Sequence, residues 1–322
     1  MSVSIEARTE AFQAAATKQP GCTPYDNHRP VFIRKRSAGQ SLSSLLKQFP
    51  TYRDAPELMA SHRDKGWLLI DDKRPRLNQR LVAGNIVKLV IPDMVEPPIA
   101  TGLVVHYEDD HILVVSKPAP LPVHPCGRFN RNSIVIITRT AWPDIKIKPV
   151  HRLDANTTGI LVFAKTAQAA GFLINEFSAQ RVKKVYMARV HGTPDVFQSS
   201  IDIPIQQAPS IGGTREIHTQ GRAARTDLKL CKTLKDGSAL LRVRPHTGRT
   251  NQIRLHLQNA GLPIVGDVAY GHQPDVHHGL TQQSLRLYLH AHRLTFRHPK
   301  DRTTMDFESP IPHDFTACIQ TP

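Results

Sequence analysis

Pro149-Val150-His151-Arg152-Leu153-Asp154-Ala155-Asn156-Thr157-Thr158-Gly159 leads straight into Ile160-Leu161-Val162-Phe163-Ala164. The unbroken apolar run, bounded by polar turn residues, reads as a buried strand. The stretch before it puts a carboxylate, Asp154, in a polar loop, a place where a rigid scaffold can present a reactive group. Arg152 is a neighbouring cation, and His151 is a second one only when protonated. On these residues alone, Asp154 is either a catalyst or an ordinary loop aspartate.

Outward from this stretch, strands dominate. Upstream, Leu103–Tyr107 and Ile112–Val115 flank an acidic turn and predict a hairpin, and Lys117–Pro125 is a proline-stiffened loop. Downstream, Thr166–Gln180 carries apolar residues at helical spacing, and Val185–Val190 alternates as a strand. Ile201–Ile205, Ala224–Cys231 and Ala239–Val243 are further strands, and Leu285–Phe296 reads as a strand pair. Thr250 is a candidate cap for a helix running to Ala260, with Gly261 just beyond. Residues 102–322 are therefore expected to form an α+β domain with a mixed, largely antiparallel sheet.

Residues 1–30 are polar and lack clear periodicity, so they read as a loose extension. Over 31–93, two short helical stretches (one behind Ser41, one ending at Gly66) precede the strands Trp67–Ile70 and Ile86–Ile91. This predicts a small α+β domain. Residues 94–101, with Pro97-Pro98, are expected to be a linker.

The chain has 42 Lys and Arg against 27 Asp and Glu, a formal charge of +15, which attracts polyanions, nucleic acid foremost. Cys22, Cys126, Cys231 and Cys318 form no CxxC pair, so a zinc finger or thiol-redox site is not expected and a reduced, cytoplasmic setting fits. Apolar runs are far shorter than the ~20 residues of a membrane helix. The N-terminus, with Glu6, Arg8 and Glu10 around small residues, lacks the apolar core of a secretory signal, and the early acids argue against an organellar targeting segment.

The motif His151-Arg152-Leu153-Asp154, with Thr158-Gly159 and Phe163-Ala164-Lys165-Thr166, resembles the active-site motif of the RluA-type RNA pseudouridine synthases. Other segments match in the same order. They are Asp109-Asp110 to Lys117-Pro118, Lys184-Val185-Tyr186-Met187-Ala188, Thr247–Arg254, Pro263–Asp267, Leu289-His290-Ala291 and His298-Pro299. Residues 31–93 resemble the S-four type of RNA-binding module, which commonly precedes this catalytic domain. Loop 121–132 resembles a subgroup that includes tRNA enzymes of the anticodon loop.

The resemblance implies isomerisation of uridine to pseudouridine in tRNA or large-subunit rRNA, by a monomer needing neither cofactor nor metal. Asp154 matches the catalytic aspartate, Arg254 its arginine partner and Tyr186 the aromatic that stacks on the target base. Arg152 matches the arginine that holds the space left by the flipped base, and His151 is expected to be a packed structural neighbour. Lys117, Arg128 and Arg249 are candidates for phosphate contacts. Two departures stand out, Thr158 for the usual serine and Asn251 for the usual histidine. A different class is also conceivable from sequence: an RNA-binding or assembly factor whose catalytic domain is inactive. The intact Asp154, Tyr186 and Arg254 favour the enzyme.

Overall fold

The structure, a computed structural model, describes residues 3–194, 199–207, 214–271 and 286–317. It contains two units, one of residues 21–97 and one of residues 1–20 with 98–322. The chain opens with α1 (Ile5–Thr17), capped by Ser4, whose hydroxyl accepts from the Ala7 amide at 3.2 Å. From sequence this segment reads as loose, and the structure corrects that. Phe12 and Ala16, one turn apart, are fully buried, and Phe12 packs on Trp142 with ring centroids 5.6 Å apart. Arg8 ion-pairs with Glu108 and Asp144, and its carbonyl accepts the Trp142 indole N–H at 2.9 Å. Packing against the rest of the larger unit makes this helix, and local periodicity does not encode that packing.

The smaller unit contains β1 (Tyr25–Phe32), α2 (Leu42–Leu46), α3 (Pro50–Asp54), α4 (Leu58–Asp64), β2 (Leu68–Ile70) and β3 (Ile86–Met94). Its antiparallel sheet has the order β1-β3-β2 over a core of Leu42, Leu46, Leu68 and Val87. Ser41 caps α2 as its position suggests, and Gly66, at φ +76°, takes the left-handed conformation just after α4. The unit starts earlier than residue 31. Tyr25 and Asn27 are buried, and Pro30 is tolerated because β1 is an edge strand. The expected linker is also shorter, since β3 runs to Met94 and Ile99 is already buried in the larger unit.

The larger unit is α+β, as read from sequence. It runs β4 (Val104–Glu108), β5 (Ile112–Lys117), α5 (Ile134–Ala141), β6 (Lys148–Pro149), β7 (Thr158–Ala164), α6 (Ala167–Ser178), β8 (Lys183–Val190), β9 (Ser200–Asp202), β10 (Arg225–Thr233), β11 (Ala239–Pro245), α7 (Gln252–Asn259), β12 (Leu289–Arg297) and β13 (Thr304–Glu308). One sheet holds these strands in the order β4-β5-β7-β12-β8-β11-β10-β9, with β13 beside β12 and β6 beside β7. All pairings are antiparallel except β12 with β7. Every residue of β7 is buried. Leu161 and Phe163 face one core with Trp142 and Phe12, while Ile160 and Val162 face another with Leu173 of α6. A continuous apolar run is what a strand covered on both faces requires.

The boundaries of β12 and α7 differ from the sequence pattern. The segment from 286 to 296 holds one strand, not a pair; β12 turns at His298–Asp301 into β13, and buried His298 meets Asp109 at 2.8 Å (residue 285 lies outside the described residues). At α7 the cap is Asn251, not Thr250. Asn251 takes φ +56°, a left-handed conformation asparagine tolerates, and its side chain does not bond the helix amides.

Candidate active site

The sheet brings three distant segments together through β12. Ala291 is in register with Gly159 on one side and with Tyr186 on the other. The contact is so close that a Cβ on Gly159, at φ +112°, would lie 2.2 Å from the Ala291 carbonyl oxygen. The loop carrying Asp154, between β6 and β7, is thereby set beside Tyr186 of β8.

Asp154 and Arg254 of α7 meet in a cleft of about 440 Å³ that Arg152, Tyr186 and Arg249 also line. Arg254 Nη1 donates to Asp154 Oδ2 at 3.1 Å. Its Nε and Nη2 each donate to the Asp267 carboxylate at 2.7 Å, and the Tyr270 ring centroid lies 4.9 Å from the guanidinium carbon. Burial alone would lower the Arg254 pKa. The hydrogen bonds and field of Asp267, with Asp154 behind them, outweigh it and raise the pKa, so the guanidinium is a fixed cation. The two carboxylates are not equivalent. The Asp154 side chain is 26% exposed and that of Asp267 only 1%, so a substrate in the cleft can reach Asp154 alone of the two.

Tyr186 is half-buried, and burial, helped by the Asp154 charge, raises its phenol pKa well above the usual value. It therefore presents a neutral aromatic face at physiological pH. His151 packs as a structural neighbour: it stacks on Phe177 with centroids 4.4 Å apart, and Nε2 accepts the Val162 amide at 3.0 Å. Burial, assisted by Lys184, lowers its pKa to about 3, so the ring is neutral.

Of the cations expected on RNA, Arg152 is exposed at the cleft, and Arg249 lines it while donating from Nε to the Ala223 carbonyl at 3.0 Å. Arg128 is exposed but does not line the cleft. Lys117 must be corrected. It is 1% exposed, and its ammonium donates to the carbonyls of Pro118, Leu121 and Ala155 at 2.9, 2.7 and 2.9 Å. A group so enclosed has no donor left for phosphate; it ties the proline-stiffened loop to the residue after Asp154.

Sequence reasoning gave no role to four residues that organise the site. Asp267 grips Arg254, as above. The Tyr270 hydroxyl accepts from Asn251 Nδ2 at 3.0 Å and from the Arg215 amide at 2.7 Å. Buried Gln252 accepts from the Thr247 hydroxyl at 2.7 Å and the Arg249 amide at 3.0 Å, shaping the turn before α7. Lys184, its pKa lowered to about 8 by burial and then by Arg249, donates to the Thr247 carbonyl at 3.1 Å. Gly266-Asp267 after an apolar run was the available signal for Asp267. Of the two departures, Thr158 keeps its hydroxyl in use against His290 Nδ1 at 2.8 Å, and Asn251 keeps one bond through Tyr270.

A family model for RNA pseudouridylate synthases matches residues 111–259, which include Asp154, Tyr186 and Arg254. An RNA pseudouridine synthase of Chloroflexus aurantiacus, itself named as uncharacterized, is 39% identical over 80% of this chain and 82% of its own length. The chain belongs to the RluA-type RNA pseudouridine synthase family. The dual-specificity RNA pseudouridine synthase RluA of Escherichia coli K12 is 35% identical over 66% of this chain and 95% of its own. The ribosomal large subunit pseudouridine synthase D of Nitrosomonas europaea is 31% identical over 87% of this chain and 83% of its own. Among solved structures, human RNA pseudouridylate synthase domain containing 1 superposes with a TM-score of 0.55 at 27% identity, over 67% of this chain and 86% of that one. As a pseudouridine synthase, the chain is an isomerase acting on RNA. Among the described residues no helix is long and apolar enough to cross a membrane.

Proposed function

We propose that this RluA-type enzyme isomerises a uridine of structured RNA with Asp154 as the group that acts on the ribose. The target nucleotide leaves its stack and enters the cleft. Asp154 either attacks C1′ or takes a proton from C2′; in both routes the C1′–N1 bond breaks and uracil is released in place. The base turns and C1′ bonds to C5, either displacing the Asp154 carboxylate from C1′ or as Asp154 returns the proton to C2′; the C5 proton leaves and N1 ends protonated. No electrons enter or leave. Arg254 aims the carboxylate, Tyr186 offers its face to the base, and Arg152 and Arg249 hold the RNA at the cleft.

The observation that carries this reading is the 3.1 Å pair between Arg254 and the partly exposed carboxylate of Asp154, in the cleft that Tyr186 lines. Large-subunit rRNA is the first substrate to test and tRNA the second. The relative named for the large ribosomal subunit aligns over 87% of this chain, too much to omit the whole smaller unit. That unit serves as an S-four-like RNA-binding module, and the work is cytoplasmic.

The test maps pseudouridine in total RNA from cells lacking the gene, complemented with the wild type or with Asp154→Ala. One or more sites should return with the wild type only. Return of the same sites with Asp154→Ala would remove this residue from the chemistry.

A further inference from the structure

Arg225, Lys229, Arg242 and Arg244 sit on the β10–β11 pair, all exposed, and none of them lines the catalytic cleft. Their placement follows from strand geometry. Side chains alternate, so Arg225, Asp227 and Lys229 of β10 share one face, and cross-strand partners Asp227↔Arg244 and Lys229↔Arg242 put the β11 arginines there too. The intervening residues Thr226, Leu228, Leu241 and Val243 are buried on the opposite face, where α7 contributes Ile253 and Leu257 to the core. Tyr186 is in register with Val243, so it stands on the α7 side and the four cations stand on the reverse.

The reverse face is concave. The four cations, Asp227 and Ser199-Ser200 line a groove of about 340 Å³. Asp227 is its one acid, and it is already engaged by His246 at 2.5 Å and Arg225 at 3.4 Å. Among the described residues, the Arg242, Arg244 and Lys229 side chains have no ion-pair or hydrogen-bond partner. Arg242 and Arg244 are about 6.8 Å apart along their strand, on the order of one nucleotide step of an extended backbone. The cleft end of this strand pair is at Pro245, Thr247 and Arg249, which line the cleft, with Arg222 beside them. Positive charge thus continues from the cleft around the end of β10 and β11 onto the reverse face.

We propose that this groove is a second RNA-binding surface, holding the sugar-phosphate backbone of the substrate at nucleotides remote from the target uridine. It rests on the reading of the chain as an enzyme of structured RNA and adds where the RNA goes beyond the cleft. Backbone contacts of this kind set affinity and its salt dependence while leaving the chemical step alone.

The test compares the wild type with Arg242→Gln/Arg244→Gln, both in the Asp154→Ala background so that binding is read without turnover. The probes are a full-length transcript of large-subunit rRNA, a full-length tRNA transcript and a short stem-loop. The double variant is expected to bind a full-length transcript about tenfold more weakly. Its plot of log K against log salt, between about 50 and 200 mM, should be shallower by one to two. The stem-loop, too short to leave the cleft, should bind equally to both proteins. Unchanged affinity and slope on both full-length RNAs would overturn the proposal. Equal loss on the stem-loop would also overturn it, by placing the arginines' effect at the cleft. Lys229→Gln repeats the comparison should the double variant melt below its parent. Pseudouridine mapping with otherwise wild-type protein separately decides the enzymatic reading.

Discussion

Arg254 and Asp267 are joined by two hydrogen bonds of 2.7 Å, and that fork leaves only Nη1 of the guanidinium free to face Asp154. Asp267 is itself fixed, since its Oδ1 accepts the amides of Ala269 at 3.1 Å and Tyr270 at 3.0 Å. The aim of the partly exposed carboxylate is therefore set by a buried one that no substrate touches. Asp267→Asn keeps the shape but loses the charge and one acceptor. The expected result is a fall in kcat of about a hundredfold, the size of effect that a small misplacement produces, with RNA affinity retained. Steady-state kinetics on the mapped substrate, beside a melting curve, check this. A fall in affinity at unchanged kcat would show that Asp267 acts on RNA binding instead.

Tyr186 is predicted to act first through its ring. Because burial and the Asp154 charge both raise its phenol pKa, the side chain stays neutral across the working pH range. Tyr186→Phe in the Asp154→Ala background should bind RNA within about threefold of its parent. Tyr186→Ala should lose the roughly 1–3 kcal/mol of a base–aromatic stack, about 5- to 150-fold in affinity. Fluorescence anisotropy with labelled RNA reads both. Equal losses for Phe and Ala would assign the contact to the hydroxyl.

How much of this was legible beforehand depended on whether a residue's partner was local. The strands Ile112–Val115, Ile160–Ala164 and Ala239–Val243 announce themselves by composition and period, and the structure contains them. The Asp154 loop is equally plain. Helix α1 was not legible, because its burial against Trp142 is a long-range contact on a segment with little amphipathic pattern. The same holds for Lys117, whose polar acceptors are backbone carbonyls invisible to any residue-type pattern. Asp267 is visible in the sequence only as part of a motif, since its role exists only once α7 swings Arg254 between two carboxylates.

Gly159 is expected to tolerate no side chain. Its φ of +112° suits glycine, and an added Cβ would strike the Ala291 carbonyl at 2.2 Å, with rigid backbone on the other side of the clash. Gly159→Ala should cost on the order of 3 kcal/mol or more from strain and overpacking combined. It should also lower activity in the fraction that folds, since Ala291 is the register partner of Tyr186. Urea denaturation gives the first quantity; a midpoint within error of the wild type would mean that β7 and β12 sit further apart than described.

Lys117 makes the stability of the enzyme depend on pH in a definite sense. Burial lowers its pKa from 10.5 to about 7, with Asp154 opposing the shift. Between these two values the unfolded chain binds a proton that the folded chain does not, so stability rises with pH across this window. Below about pH 7 both states carry the charge and the contribution is constant. Lys117→Met removes the effect while leaving the carbonyls of Pro118 and Leu121 without the lysine donor and that of Ala155 with the Leu121 amide alone. Its kcat should fall as the residue after Asp154 loosens. The wild type should gain roughly 2 kcal/mol relative to the variant between pH 7 and 9, a difference that cancels the contribution of Lys184, present in both. Paired urea midpoints at the two pH values measure it. If the wild type gained nothing on the variant, the lysine would carry its ordinary pKa, held there by its three carbonyl acceptors and the nearby carboxylate.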